Sequence, residues 1–404
     1  MKIKPFAALR PTVALVHKVA APPYDVLSSA EARTLAAGNA YSFLHVTKSE
    51  IDVDATVDIH SKLVYDTAAS NLQQLISNGT LLQDATPCYY IYELTMHGRT
   101  QTGLVCTSAV ADYNADLIKK HEYTRPEKEQ DRIQHMLTIQ AHTGNVFLAY
   151  RDVPSINEII LAIKATIPTY NFVADDGIAH KVWVVQDAAT IASITHTFAT
   201  QVPVTYIADG HHRAASAAKV AAAQADNATA QFFLTTIFPE SELAIMEYNR
   251  VVKDLNGLTS VAFVQALQQS FTVVPSSTPV QPNQLHQLGM YLAGQWYTLT
   301  GLEHTYTTNA ISVLDVSILQ HYVLDAILGI TDVRTSTRIE FVGGIRGLQA
   351  LEHLVDNGTM AAAFSMYPVS IHQLFAIADN NMVMPPKSTW FEPKLRDGLL
   401  THLL

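Results

Sequence analysis

Apolar positions recur at helical spacing between Val57 and Asn78, at Leu63, Val64, Ala68, Leu72, Leu75 and Ile76, and predict a helix with one buried face that Gly79 ends. Two strand-like runs, CYYIYEL and GLVCTSA, flank the turn residues His97 and Gly98 and predict a hairpin. From Val110 to about Asn256 the pattern alternates. NVFLAY, KVWVVQ, VPVTYIA and QFFLTTIF read as strands buried on both faces, and SINEIILAIKA, TIASITHTFA and HRAASAAKVAAAQA as the helices between them. A capping box from Thr124 to Glu127, with Pro126 in the first turn, predicts a helix that continues through Ile133, Met136, Leu137 and Gln140. Three prolines among polar residues make Val273–Gln284 a loop or linker. Helices around Asp315–Leu328, Ile345–Val355 and Ser370–Ala378, with strands at RIEFV and AAAFSMY, complete the chain. The expectation is a mixed α/β protein in three parts: an α+β part at 1–109, an α/β core at 110–256 and a further α+β part at 257–404.

Composition narrows the function classes. The chain has 404 residues, 48% hydrophobic and 15% charged, with a formal net charge of -10. That balance supports a sizeable core and argues against a protein built to grip nucleic acid or an anionic membrane, which needs clustered lysine and arginine. Pro5, Arg10 and Pro11 interrupt the N-terminal segment before an apolar run of signal length. The uncharged stretch Leu255–Gly301 is too rich in Gln, Ser, Thr and Asn for a membrane helix. A soluble cytoplasmic protein is expected. Cys88 and Cys106 fall out of register across the hairpin, so they read as small core residues, not a disulfide.

The densest chemistry lies in YIADGHHRAASAA, Tyr206–Ala218, where Asp209 ends an apolar strand, Gly210 makes the bend and His211, His212 and Arg213 open a helix. A helix N-terminus offers unpaired N–H groups and a positive dipole end, and glycine lets a ligand approach the backbone, so the arrangement suits phosphate. Arg213 adds a fork of donors, Asp209 can hold a divalent metal or a proton, and the histidines can donate to phosphate or shuttle protons. The plain alternative is a capped helix start, with Asp209 as N-cap and Arg213 solvated. Adjacent helix positions point in different directions, which excludes a self-contained zinc site.

Five other segments carry candidate groups. IKKHEYTRPEKEQDR places His121 and Glu122 before a helix, either as acid–base groups at a cleft or as a solvated entry. RIEFVGGIRGLQALEHLV sets Gly343, Gly344, Arg346 and Gly347 between a strand and a helix, either an anion turn or a plain tight turn, and it matches no standard nucleotide fingerprint. MPPKSTWFEPKL carries Lys387, Ser388, Thr389 and Trp390 in a proline-stiffened loop suited to phosphate or to docking by its aromatics. APPYDVLS, with Tyr24 and Asp25, and YNRVVKDLNG, with Arg250 and Lys253, read better as structural segments.

Taken together, PPYDV, YSFLHV, KKHEYTRPEKEQDR, ADGHHR, YNRVVKDLNG, FVGGIRG and MPPKSTWFEPKL resemble the bacterial domain-of-unknown-function family 1015 over nearly the whole chain. ADGHHR is also similar to the D-G-x-H-R element of the free-serine kinases of the ParB and sulfiredoxin superfamily. That resemblance implies a ParB/sulfiredoxin-like core and a phosphotransferase acting between a nucleotide and L-serine or a similar small hydroxy metabolite. It implies ATP or ADP and Mg2+ as cofactors, Asp209 as the motif acid and metal contact, and Gly210, His211, His212 and Arg213 as phosphate contacts. Glu122 takes the place of the upstream glutamate that activates the hydroxyl, while Arg346 and Lys387 are further anion contacts. A phosphoserine phosphatase and a non-catalytic, nucleotide-binding ParB-like module are the alternatives.

Overall fold

The computed structural model describes residues Met1–Leu404 and shows the mixed α/β fold that the alternation predicts. The chain forms two compact units: Met1–Lys120, Thr124–Leu243 and Pro393–Leu404 make the first, His121–Tyr123 and Ala244–Glu392 the second. No helix is long and apolar enough to cross a membrane.

The first unit is built on a nine-stranded sheet. Its order runs Ile118–Lys119, Thr205–Asp209, Val146–Tyr150, Phe232–Pro239, Arg99–Ala109, Tyr89–Met96, Ala179–Val185, Tyr170–Val173, with Ile3–Lys4 paired to the end of Arg99–Ala109. Strands from both sides of residue 109 therefore share one sheet. Most pairs are antiparallel. Only Thr205–Asp209 with Ile118–Lys119, and Phe232–Pro239 with Val146–Tyr150, run parallel. The hairpin forms as expected, with His97 and Gly98 both at positive φ. Tyr90 pairs with Val105, which leaves Cys88 and Cys106 out of register, and both thiols are free.

Helices Pro154–Lys164, Ala188–Gln201 and His211–Ala223 cover one sheet face and close a core containing Ile91, Leu104, Leu148, Trp183, Phe198 and Phe233. Ala214, Ala217 and Ala221 are the residues the last of these helices buries there, and small side chains allow its close approach. The N-terminal helices enclose a second core around Phe43, Leu72 and Leu75. Within the same unit, the closing segment Pro393–Leu404 returns to pair His402 with His142, Thr401 with Leu9 and Asp397 with Ala21.

Three local expectations need correction. The helix predicted from Val57 starts at Lys62, because Asp58 instead turns the chain by accepting the His60 amide at 2.9 Å. The Thr124 capping box does not form: Arg125 is the N-cap of Pro126–Ile139 without a side-chain cap, and the Thr124 hydroxyl bonds the Glu129 carboxylate. Phe271–Ser276 is a strand running into the segment read as a loop from Val273. It pairs only with Gln295–Gly301, and at that sheet edge Pro275 is tolerated.

The second unit holds a six-stranded antiparallel sheet with helix Gly347–Asp356 packed through Leu351 on Val251, Trp296 and Ala363. It also buries Asp315, 4% exposed, whose Oδ1 accepts the His286 amide at 2.8 Å while Oδ2 lacks a partner. Burial pushes this carboxyl up to about 7, and the amide hydrogen bond only partly opposes it. Because the folded value lies above the unfolded one, the associated stability is complete below about pH 4 and disappears as pH rises through about 7. Asp315→Asn should therefore gain on the wild type between pH 5 and pH 8, by about 3 °C in melting temperature. A melting difference that stays constant across that range excludes the buried acid as the titrating group.

Candidate functional site

The strand Thr205–Asp209 enters its last residues through a bulge: Ile207 pairs with Leu148 and Asp209 with Phe147, so Ala208 is extra. Gly210 follows at φ 96°, ψ 28° as N-cap, and the helix His211–Ala223 starts without a side-chain cap. Asp209 is thus not the cap; its carboxylate meets Lys394 Nζ at 3.1 Å. A Cβ on Gly210 would lie 3.3 Å from Val146 Cα. Gly210→Ala should cost about 2 kcal/mol from left-handed strain and backbone crowding, measurable by chemical denaturation, and should weaken any ligand held by the helix start.

Arg213 is buried, 8% exposed. Its Nη1 donates to the Asn145 carbonyl and its Nη2 to Asp25 Oδ2 at 2.9 Å, while Nε is buried without a partner. Burial opposes the charge, yet Asp25, Asp209, Tyr24 and Asp397 hold its pKa well above the usual arginine value. Asp397, 2% exposed, behaves in the opposite way. Burial pushes its carboxyl up to about 8 against the pull of Arg213, so at pH 7 it is mainly neutral and Asp25 is the direct counter-ion of the guanidinium.

The Tyr24 ring lies near two guanidinium groups, with Arg132 Cζ at 4.0 Å from its centroid and Arg213 Cζ at 5.9 Å. Burial pushes its phenol up to about 12. Asp131 holds Arg132 at 2.6 Å and also accepts from Tyr65 at 2.8 Å. Tyr24, Arg132, His135, His142, Gly144 and Arg213 line a small, partly open cavity of about 30 Å3. His142 is buried with both ring nitrogens unpartnered, and burial, reinforced by His402, pushes its pKa well below the ordinary value. The cavity thus collects orphaned donors and acceptors from separate segments, as a polar guest requires.

The motif histidines have specific tasks. His212 Nε2 accepts the Arg125 amide at 2.9 Å, which places its proton on Nδ1 and ties the motif helix to the start of Pro126–Ile139. Two further bonds secure the same helix pair, from Ser216 Oγ to the Glu129 carbonyl at 3.1 Å and from Lys219 to the Glu129 carboxylate. His211 is buried at the first helical position. No group of three or more His, Cys, Asp or Glu can hold a metal. The donor set fits a divalent cation only as one delivered with a polyphosphate, where one or two carboxylates suffice.

The structure therefore joins ADGHHR to three segments that the sequence left apart: Tyr24 and Asp25 from PPYDV, Asp131 and Arg132 from EKEQDR, and Lys394 and Asp397 from EPKLRD. PPYDV read as structural, and the last two lack spacing that could link them to residue 209. Glu122, Arg346 and Lys387 belong to the second unit. There, Tyr248 pairs with Gly343, Met246 pairs with Trp390, and Arg250 Nη2 donates to the Lys387 carbonyl at 3.0 Å, so YNRVV, FVGGIRG and MPPKSTW converge. The glycine pair has a packing cause: a Cβ on Gly343 would stand 3.0 Å from the Trp390 ring, and one on Gly344 2.5 Å from the Glu247 carboxyl carbon. Arg346 and Lys387 are exposed.

A family model described as a protein of unknown function, DUF1015, matches residues 3–317. No curated protein matches the chain. Among solved structures, the chain is similar to a free serine kinase in complex with AMP, at 14% identity and a TM-score of 0.36, covering 71% of this chain and 86% of that one. It is also similar to SbnI with C-terminal truncation from Staphylococcus aureus, at 11% identity and a TM-score of 0.39, covering 73% and 86%. A conserved hypothetical protein from Pyrococcus furiosus matches at 14% identity and a TM-score of 0.35, covering 72% and 93%.

Proposed function

The chain belongs to the DUF1015 family, described only as proteins of unknown function, and from that premise we propose that it is a phosphotransferase moving phosphate between a nucleotide and a small hydroxy metabolite such as L-serine. The observation that carries this reading is the junction at Gly210. An uncapped helix start follows a left-handed glycine, beside a buried arginine whose Nε has no partner. Such a junction favours an anion, and its backbone donors need no reorganisation to meet phosphate oxygens.

In this proposal the nucleotide phosphates lie against the amides of the Gly210–Arg213 turn, and Arg213 Nε supplies a further donor. Mg2+, when bound with the nucleotide, neutralises phosphate charge and is contacted by Asp209. Lys394 balances the Asp209 carboxylate in its absence. The acceptor hydroxyl loses its proton to a carboxylate as its oxygen bonds to phosphorus and the bond to the leaving nucleotide oxygen breaks. Glu122 is the base that the sequence resemblance suggests. Asp25 is a second candidate by position, since it is partly exposed and lies 2.9 Å from Arg213, an ion pair that weakens it as a base. Comparing Glu122→Gln with Asp25→Asn identifies the base as the residue whose change lowers kcat while KM stays near its original value. Arg346 and Lys387, the further anion contacts expected from the sequence, lie in the second unit.

Incubation with O-phosphoserine and Mg2+, with and without ADP, tests the reading. ATP formed only with ADP supports the kinase. Free phosphate formed without nucleotide supports a phosphoserine phosphatase, and salt-dependent binding to DNA with neither product favours the ParB-like module. Folded protein that yields neither product overturns both enzymatic readings.

A further inference from the structure

Besides the cavity at Arg213, the first unit carries a larger open cleft of about 330 Å3. Its walls include Phe6, Pro87, Phe232, Leu403 and His402, with Lys4 as its only charged residue. The rings are fixed in place. Phe6 meets His402 edge to face at 5.4 Å, and the His402 Nε2 lies 3.3 Å from the Thr229 carbonyl. Burial drives the His402 pKa down to about 4, so this wall is neutral at pH 7.

The cationic side of the cleft is equally well defined. The Lys4 ammonium sits 4.0 Å from the Phe232 ring centroid and that of Lys2 5.7 Å from it, and neither makes an ion pair. Thr107 Oγ1 donates to the Lys4 carbonyl at 3.2 Å and pins the strand that presents the lysine. Two unneutralised ammonium groups thus stand beside an apolar cleft. Ligand sites have this composition: mostly apolar walls with a few placed polar groups, and volumes from about 300 Å3 upward.

We infer that this cleft is a second small-molecule site, taking an apolar carboxylate whose body lies against Pro87 and Leu403 and whose carboxylate meets Lys4. It is separate from the phosphotransfer reading and stands or falls without it. The test uses 2-naphthoate as probe and its neutral counterpart 2-naphthylmethanol, titrated against the full chain by calorimetry. Saturable binding of 2-naphthoate, at least fivefold tighter than the alcohol, is expected. Lys4→Gln should weaken naphthoate about tenfold and leave the alcohol unchanged, because it removes one charge contact at the cleft. Ala228→Trp, at the exposed rim, should block both probes without moving the melting temperature. Absence of saturable binding, equal affinity for acid and alcohol, or binding indifferent to both substitutions would overturn the site.

Discussion

Asp209→Asn should leave a folded protein whose turnover is lower by about 10^3-fold, while nucleotide affinity changes by less than about threefold. The separation follows from where the carboxylate stands. It is half-buried at the end of a strand, does not cap the helix, and forms an ion pair with Lys394. An amide keeps its shape and costs the fold only about 0.5 kcal/mol, the scale of a partly solvated ion pair. The backbone donors at Gly210 are untouched, so phosphate is still held. What is lost is the charge that the proposed reaction uses at the phosphate. Single-turnover kinetics with O-phosphoserine and ADP, alongside calorimetric titration of the nucleotide, separates the two quantities. Turnover within tenfold of the wild type would falsify the assignment of Asp209 as the motif acid.

The elements around this residue were legible because they are written in local pattern. Val146–Tyr150 and Phe232–Pro239 are wholly buried, which is why their apolar runs identified them as strands. The helix after Gly210 was equally readable from its alanines. Strand direction was not, since a run buried on both faces looks the same in a parallel or antiparallel pair, and this sheet is mostly antiparallel. Long-range partners were less legible still. Asp25 and Arg213 are 188 positions apart and Lys394 and Asp209 are 185, and no periodicity spans such distances. A charged residue in a proline-stiffened loop therefore looked structural until the fold placed a buried arginine beside it. Capping failed for a related reason. Thr124 has the spacing of a capping residue, but the Glu129 carboxylate offers its hydroxyl a stronger, charged acceptor.

Arg213→Met should lower stability by about 3 kcal/mol and weaken nucleotide binding by at least tenfold. A solvated first-turn arginine would give neither result. Here the guanidinium is buried and supplies the hydrogen bond to the Asn145 carbonyl as well as the ion pair to Asp25. Methionine fills much of the space but leaves that carbonyl without its side-chain donor, and leaves the Asp25 charge facing a neutral wall. Asp397 cannot take over, because losing the nearby cation holds its already raised carboxyl more firmly in the neutral form. Arg213→Lys should recover less than half of the loss, since one ammonium cannot span both partners in the geometry of a planar fork. A double-mutant cycle with Asp25→Asn should show coupling of about 1 kcal/mol or more, which a purely steric role for Arg213 would not produce. If Arg213→Met melts within 2 °C of the wild type and binds nucleotide as tightly, the junction is an ordinary helix start and the phosphate reading falls with it.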